Sequence, residues 1–290
     1  MPNQRAKPTL RRRRLGALLQ GCREKAGLTG ATAAALMSWN DTKLSKIENA
    51  RAHISPKEVS ELLGHYGVTD QPLIAGCAAL AKDAGKQGWW ATYGDVAANE
   101  YQDLLSLESD AEGVRFYSPS LVPGLLQTPA YARAIISATA VTRTAEEVEA
   151  LAAIRIARQS VLTRLGNPLR LRVVISESVL HQRFVNAKGL MQAQMERILD
   201  ASENPNYDIQ IMPLNATPHA GLVGMFYIVG FQHPWPTVVS VESIRGSSFI
   251  EGTDDVAVFE TAFERVTAAA LPADQSREVI KKMIVKEKNQ

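Results

Sequence analysis

The sequence predicts an α+β protein. An N-terminal all-α helix-turn-helix bundle of four or five helices precedes a larger α+β domain with a mostly antiparallel or mixed sheet and C-terminal helices. Three observations carry this reading. Residues 10–86 break into short segments whose apolar residues recur at helical spacing. Beyond residue 168 come four β-type runs, "LRLRVVIS", "YDIQIMPL", "GMFYIVGF" and "TVVSVES". Charge divides along the same line: residues 1–65 hold 12 Lys+Arg and 5 Asp+Glu, net +7, and the rest is net −5. A basic front and an acidic remainder suggest two parts with different partners.

The elements follow in order. Residues 1–9, "MPNQRAKPT", are polar with two prolines and read as a flexible basic arm. Residues 10–86 form the bundle. In its first helix Leu15, Leu18, Leu19 and Cys22 share a side, and Gly27 stops it. Thr29 caps an alanine-rich second helix, and "SWN" is the turn. Asn40 caps a third helix with Leu44 and Ile47 inward. Ser55 caps a fourth, with Pro56 in its first turn, and a fifth spans about Gln71 to Lys86. Residues 87–290 form the larger domain. Residues 88–138 mix helices with a proline-punctuated loop, and "TAEEVEALAAIRIARQSVLTRL" is one long helix. A helix from Gly189 to Ser202 lies between the first two strands, and two helices close the chain.

Composition bounds the class. A chain 46% hydrophobic and 21% charged is that of a soluble globular protein. No run of about eighteen apolar residues offers a membrane span, and the basic N-terminus lacks the apolar core of a signal peptide. Cys22 and Cys77 lie far apart without metal-type spacing, as expected of small apolar residues in a reducing cytoplasm.

Two short helices joined by a tight turn within a small bundle describe a helix-turn-helix, whose second helix enters the major groove of double-stranded DNA. Leu44 and Ile47 hold that helix down, while Thr42, Lys46 and Asn49, spaced by four and three, point away together with Ser45. Asn and Lys can hydrogen-bond base edges, and Thr and Ser suit base edges or phosphate. Arg11, Arg12, Arg13 and Arg14 crowd a helix N-terminus, the wrong end for cations unless anions such as DNA phosphates lie close. The alternatives are a solvated helix face and a solubilising tail. Anionic lipid is a weaker rival, because no amphipathic apolar face accompanies the arginines. The expected DNA contacts are Arg11–Arg14, Thr29, Asn40, Asp41, Thr42, Lys43, Ser45, Lys46, Asn49 and Arg51. One such bundle covers one half-site, so a homodimer is expected.

The stretch "LTGATAAALMSWNDTKLSKIENAR" resembles the helix-turn-helix of lambda-repressor/Cro-like (XRE) transcriptional regulators, with Ala50 in place of the glycine that closes the family's Ile-Glu-Asn-Gly ending. The resemblance implies a partly buried structural salt bridge between Arg23 and Glu48, serving orientation more than net stability. Two positions depart from it: Gly30 where the family often has a phosphate-touching glutamine, and Asp41 where it often has Gln or Ser. The operator therefore cannot be copied from relatives. From about Trp89 onward, "GWWATYGDV", "LESDAEGVRFYSPSLVPGLLQTPAYARA", "IRIARQSVL", "MPLNATPHAGLVGMFYIVGF" and "VVSVES" resemble the uncharacterised domain that follows this motif in many actinobacterial regulators. That likeness implies a transcriptional regulator, often encoded beside a small partner protein.

The larger part carries little sign of catalysis. Glu177 and His181 lie four apart, and His219 and His233 flank a strand, but a metal site needs three or four convergent ligands. No phosphate loop or nucleophile elbow appears, so no enzyme, cofactor or metal is expected. In "YSPSLVPGLLQTPAYA" the prolines hold Leu121, Val122, Leu125 and Leu126 either over a core or as an apolar interface for a partner. Trp89 and Trp90 carry the same two readings. "PLNATPHAGLVGMF" is a loop that could wall a pocket. The main expectation is a cytoplasmic, nucleoid-associated, sequence-specific DNA-binding regulator with a partner- or ligand-responsive second domain. The rivals are an antitoxin-like module whose chief business is a small partner protein, and a DNA-tethered enzyme using Glu177, His181 or His219.

Overall fold

A computed structural model describes residues 9–83, 88–139, 142–184, 187–232, 235–243 and 246–288, with the side chains of 94 and 95 left aside. The chain divides into two compact units, Met1–Trp89 with His233–Trp235, and Trp90–Gln232 with Pro236–Gln290.

Among the described residues the first unit holds five helices: α1 (Leu10–Lys25), α2 (Gly30–Leu36), α3 (Asp41–Glu48), α4 (Pro56–His65) and α5 (Gln71–Asp83). Each of the first four begins where a short polar side chain accepts a backbone N–H, from Thr9, Thr29, Asn40 and Ser55 respectively. Ser55 and Glu58 complete a reciprocal capping box on α4. Leu15, Leu19, Leu44, Ile47, Val59, Leu62, Leu63 and Cys77 are buried in one core. The expected arm, residues 1–9, lies outside the described residues except for its capping Thr9, as do residues 84–86 of the expected fifth helix.

The second unit is a mixed six-stranded sheet carrying helices. It opens on a 3-10 segment (Trp89–Val96), α6 (Asn99–Asp110) and β1 (Gly113–Ser118). Next come α7 (Pro129–Thr139), α8 (Ala145–Ala157), β2 (Arg170–Ser176), α9 (Glu177–Leu180), α10 (Leu190–Ala201) and β3 (Tyr207–Met212). Then β4 (Phe226–Gly230), β5 (Val238–Ser243), β6 (Gly246–Ile250), α11 (Thr253–Ala269) and α12 (Ala273–Lys288) follow. The strand order is β3-β2-β1-β4-β5-β6. β1, β2 and β3 are parallel, and β4, β5 and β6 continue antiparallel. Val256, Phe263 and Val266 of α11 pack on Tyr117, Val174, Phe226, Ile228 and Val239 from alternate positions of four neighbouring strands.

The sheet is mixed, as the sequence predicts, but two of its strands lie outside the four expected runs. β1 sits at the centre of the sheet inside the segment read as helices and loop. Its six residues, "GVRFYS", are bracketed by a helix and a proline segment that drew the reading away. The long helix expected from Thr144 stops at Ala157 and tightens into a 3-10 segment, Arg158–Leu162. There Arg158 pairs with Glu108 of α6: Nη2 donates to Oε1 at 2.6 Å and Nε lies 2.5 Å from Oε2, with the Tyr227 hydroxyl also donating to that carboxylate. Glu108 is wholly buried. Burial, with the adjacent Glu108 charge, pushes the Tyr227 phenol well up.

Candidate nucleic-acid interface

α2, a four-residue turn and α3 form the helix-turn-helix. Ser38 in the turn stands at φ 53, a left-handed conformation uncommon for a side-chain-bearing residue. Ala50, just past α3, stands at φ 59 where the resembling family has glycine. There the chain leaves α3 sharply, with the Arg51 and Ala52 amides both donating to the Lys46 carbonyl.

α3 is held on three sides. Leu44 and Ile47 bury its inner face. At its end, Arg23 of α1 forms a fork with Glu48, Nε–Oε1 2.7 Å and Nη2–Oε2 3.0 Å, while Nη1 donates to the Leu28 carbonyl at 2.9 Å. Both side chains are largely buried. Buried Tyr66 lies within the field of this pair, and its phenol is pushed up to about 12, mainly by burial and then by the Glu48 charge. Gly16 of α1 meets the same helix end. A Cβ there would stand 3.0 Å from the Ile47 carbonyl oxygen and closer still to that of Glu48. The "RLGAL" glycine thus lets two backbones touch.

The outer face is open. Asp41, Thr42, Ser45, Lys46, Asn49 and Arg51 are exposed. Thr42, Lys46 and Arg51 have no side-chain partner among the described residues. Asn49 caps α3, its Nδ2 donating to the Ser45 carbonyl at 2.8 Å. Asn40 spends its Oδ1 on the Lys43 amide, and Thr29 spends its hydroxyl on the Thr32 amide and hydroxyl.

Two expected DNA contacts, Lys43 and Arg14, are corrected. Lys43 does not reach outward: its Nζ sits 2.7 Å from Glu58 Oε1 and 3.9 Å from the centre of the Trp39 ring. Glu58, bonded also by the Ser55 amide at 2.9 Å, is held down to about 2, chiefly by the Lys43 bond and then by that amide. Lys43 is a brace between the start of α3 and the start of α4. Arg14 is only 4% exposed, its guanidinium lying 5.7 Å from the centre of the Trp235 ring, while Arg11, Arg12 and Arg13 are half-buried. The apolar interface is also corrected. Val122, Leu125, Leu126 and Trp90 are core residues, and the Val122 amide donates to the Tyr131 hydroxyl at 3.1 Å. Leu121 is half-buried, and Trp89 is 36% exposed.

The possible catalytic pair stays a pair. His181 Nε2 lies 3.7 Å from Glu177 Oε1, and Glu177 Oε2 accepts from the Leu214 amide at 3.1 Å. Among the described residues no three His, Cys, Asp or Glu side chains converge as for a metal. His233 lies outside them. No helix among them is long and apolar enough to cross a membrane.

An open polar face on a clamped second helix is what a DNA-reading helix-turn-helix presents. Residues 14–75 match a helix-turn-helix domain, which supports DNA binding and transcriptional regulation. Residues 101–282, more than half of the sequence, match the family described as a domain of unknown function (DUF5753), and the chain belongs to that family. No curated protein and no solved structure matches the chain.

Proposed function

We propose that this chain is a sequence-specific transcriptional regulator of the lambda-repressor/Cro-like kind. On this reading it binds as a homodimer and inserts α3 into the major groove, and its second unit answers to a ligand or protein partner. The observation that carries it is the contrast across α3: Leu44 and Ile47 buried, Thr42, Ser45, Lys46 and Asn49 exposed, and both ends fixed by bonds that leave that face unoccupied. Lys46 and Arg51 would meet phosphate or guanine, and Thr42, Ser45 and the Oδ1 acceptor of Asn49 base edges. Asn40 and Thr29 would set register from the helix ends. The reading includes no catalytic step.

The experiment is selection of bound fragments from a random DNA pool at physiological salt with nonspecific competitor. An enriched two-fold repeat is expected, with Lys46→Ala weakening binding to it about tenfold, the loss of one good base or phosphate contact. Absence of any enriched sequence, or binding indifferent to Lys46→Ala, would refute direct reading by α3.

A further inference from the structure

The strand order imposes a crossing. β3 and β4 are consecutive in the chain, yet β2 and β1 stand between them. The connection 213–225 therefore runs across the carboxyl ends of β2 and β1 before β4 begins beside Tyr117. Ligands of open α/β sheets gather in such a place, outside the carboxyl ends of parallel strands. Here the crossing roofs a cleft of about 330 Å³, within the range of small-molecule sites. The ends of all three parallel strands reach it: Tyr117 and Pro119 from β1, Ser176 from β2, Met212 and Pro213 from β3.

Two ring donors in the cleft lack hydrogen-bond acceptors among the described residues. Tyr117 is 3% exposed, and no described residue hydrogen-bonds its hydroxyl. His219 accepts the Gly221 amide on Nδ1 at 3.1 Å, which assigns its proton to Nε2. That N–H likewise has no partner among the described residues. The two rings meet edge to face with centroids 5.6 Å apart, side by side in the wall of the cleft. The loop can lie this close because Gly221 has no side chain: a Cβ would stand 2.8 Å from Tyr117 Cζ. Among the described residues no Asp, Glu, Lys or Arg lines the cleft. Ser176 and Thr217 add hydroxyls to a lining otherwise made of Pro, Met, Leu, Ala and Gly, and Leu214 and Leu222 are held 65% and 70% exposed at its rim.

We propose that this cleft binds an uncharged, largely apolar small molecule carrying a carbonyl-type oxygen, which accepts from the Tyr117 hydroxyl and His219 Nε2 while Leu214 and Leu222 cover its body. A charged ligand would lose hydration with no counter-charge to meet it. The proposal deepens the ligand-responsive half of the function above and rests on it for its biological meaning, though not for binding itself.

The probe is 6-propionyl-2-dimethylaminonaphthalene, a neutral fluorescent ketone, with anionic 1-anilinonaphthalene-8-sulfonate as control, titrated into the full chain. Saturable one-to-one binding with blue-shifted emission is expected for the ketone. Tyr117→Phe, which removes only an unpartnered hydroxyl, should weaken binding at least threefold without altering thermal stability. Thr217→Trp, which fills the cleft from an exposed position, should abolish it. No saturable binding, equal binding by both variants, or tighter binding of the sulfonate would overturn the site. A separate DNA titration with and without the ketone tests the reading it rests on: binding at the cleft with unchanged DNA affinity would keep the site and refute ligand responsiveness.

Discussion

Replacing Arg23 by Met tests what holds the reading helix in place. The substitution removes two charge-assisted bonds to Glu48 and one to the Leu28 carbonyl, leaving a carboxylate 8% exposed without its cation. Breaking a buried pair from one side costs about 3–5 kcal/mol, and the residual exposure of both partners places this one near ~3 kcal/mol. Glu48→Leu should cost about as much. Arg23→Met/Glu48→Leu removes both charges, and it should lose only the Leu28 bond, about 1 kcal/mol. The coupling energy is then on the order of 3 kcal/mol or more. Because the two units need not unfold together, the readout is amide hydrogen exchange in α1 and α3 rather than a global melt. Operator affinity of the stable double variant separates orientation from stability: it should remain reduced when exchange protection has returned. A coupling below about 0.5 kcal/mol would refute the lock and class the pair with ordinary surface bridges.

Gly16→Ala should destabilise the bundle by about 2 kcal/mol through overpacking, although alanine gains about 1 kcal/mol in helix propensity. Thermal unfolding at or above the wild-type midpoint would contradict the backbone contact with the end of α3. Glu58 is depressed from an ordinary 4.5 to about 2, so its contribution to stability is present above pH 4.5 and is lost as pH falls toward 2. Lys43→Met should raise its midpoint, read from the carboxyl carbon shift, without restoring 4.5, because the Ser55 amide still bonds it. An unmoved midpoint would remove Lys43 as the brace. Arg158→Met strands wholly buried Glu108 and should cost the second unit about 3–5 kcal/mol. Arg158→Met/Glu108→Gln, which removes both charges, should recover most of that loss. No recovery would refute the stranded charge as its source.

The bundle was legible because its signals are local. Thr29, Asn40 and Ser55 cap helices within three residues of themselves, and Leu44 and Ile47 mark an inner face by spacing alone. What misled was reach. Lys43 carries its charge on about four flexible methylenes, so its place on the sequence says nothing of Glu58, fifteen residues on, which captures it. Arg14 looked continuous with its three neighbours, yet a helix turns by about 100° per residue and carries the fourth arginine inward. β1 was missed because its partners are non-local: β2 begins more than fifty residues later. The Tyr117–His219 cleft depends on the order of strands in the sheet, which no short window contains. The one advance sign was a loop rich in Gly and Pro between two strands.

The contact between Gly16 and the end of α3 bears on how DNA preference can change in this lineage. With no side chain between the two backbones, the reading helix has no slack to tilt or slide, and repacking nearby cannot re-aim it. A side chain added at the seam would act on the whole bundle. If α3 reads DNA as proposed, substitutions at the exposed positions 42, 45, 46 and 49 would alter what is read and leave the angle of approach untouched.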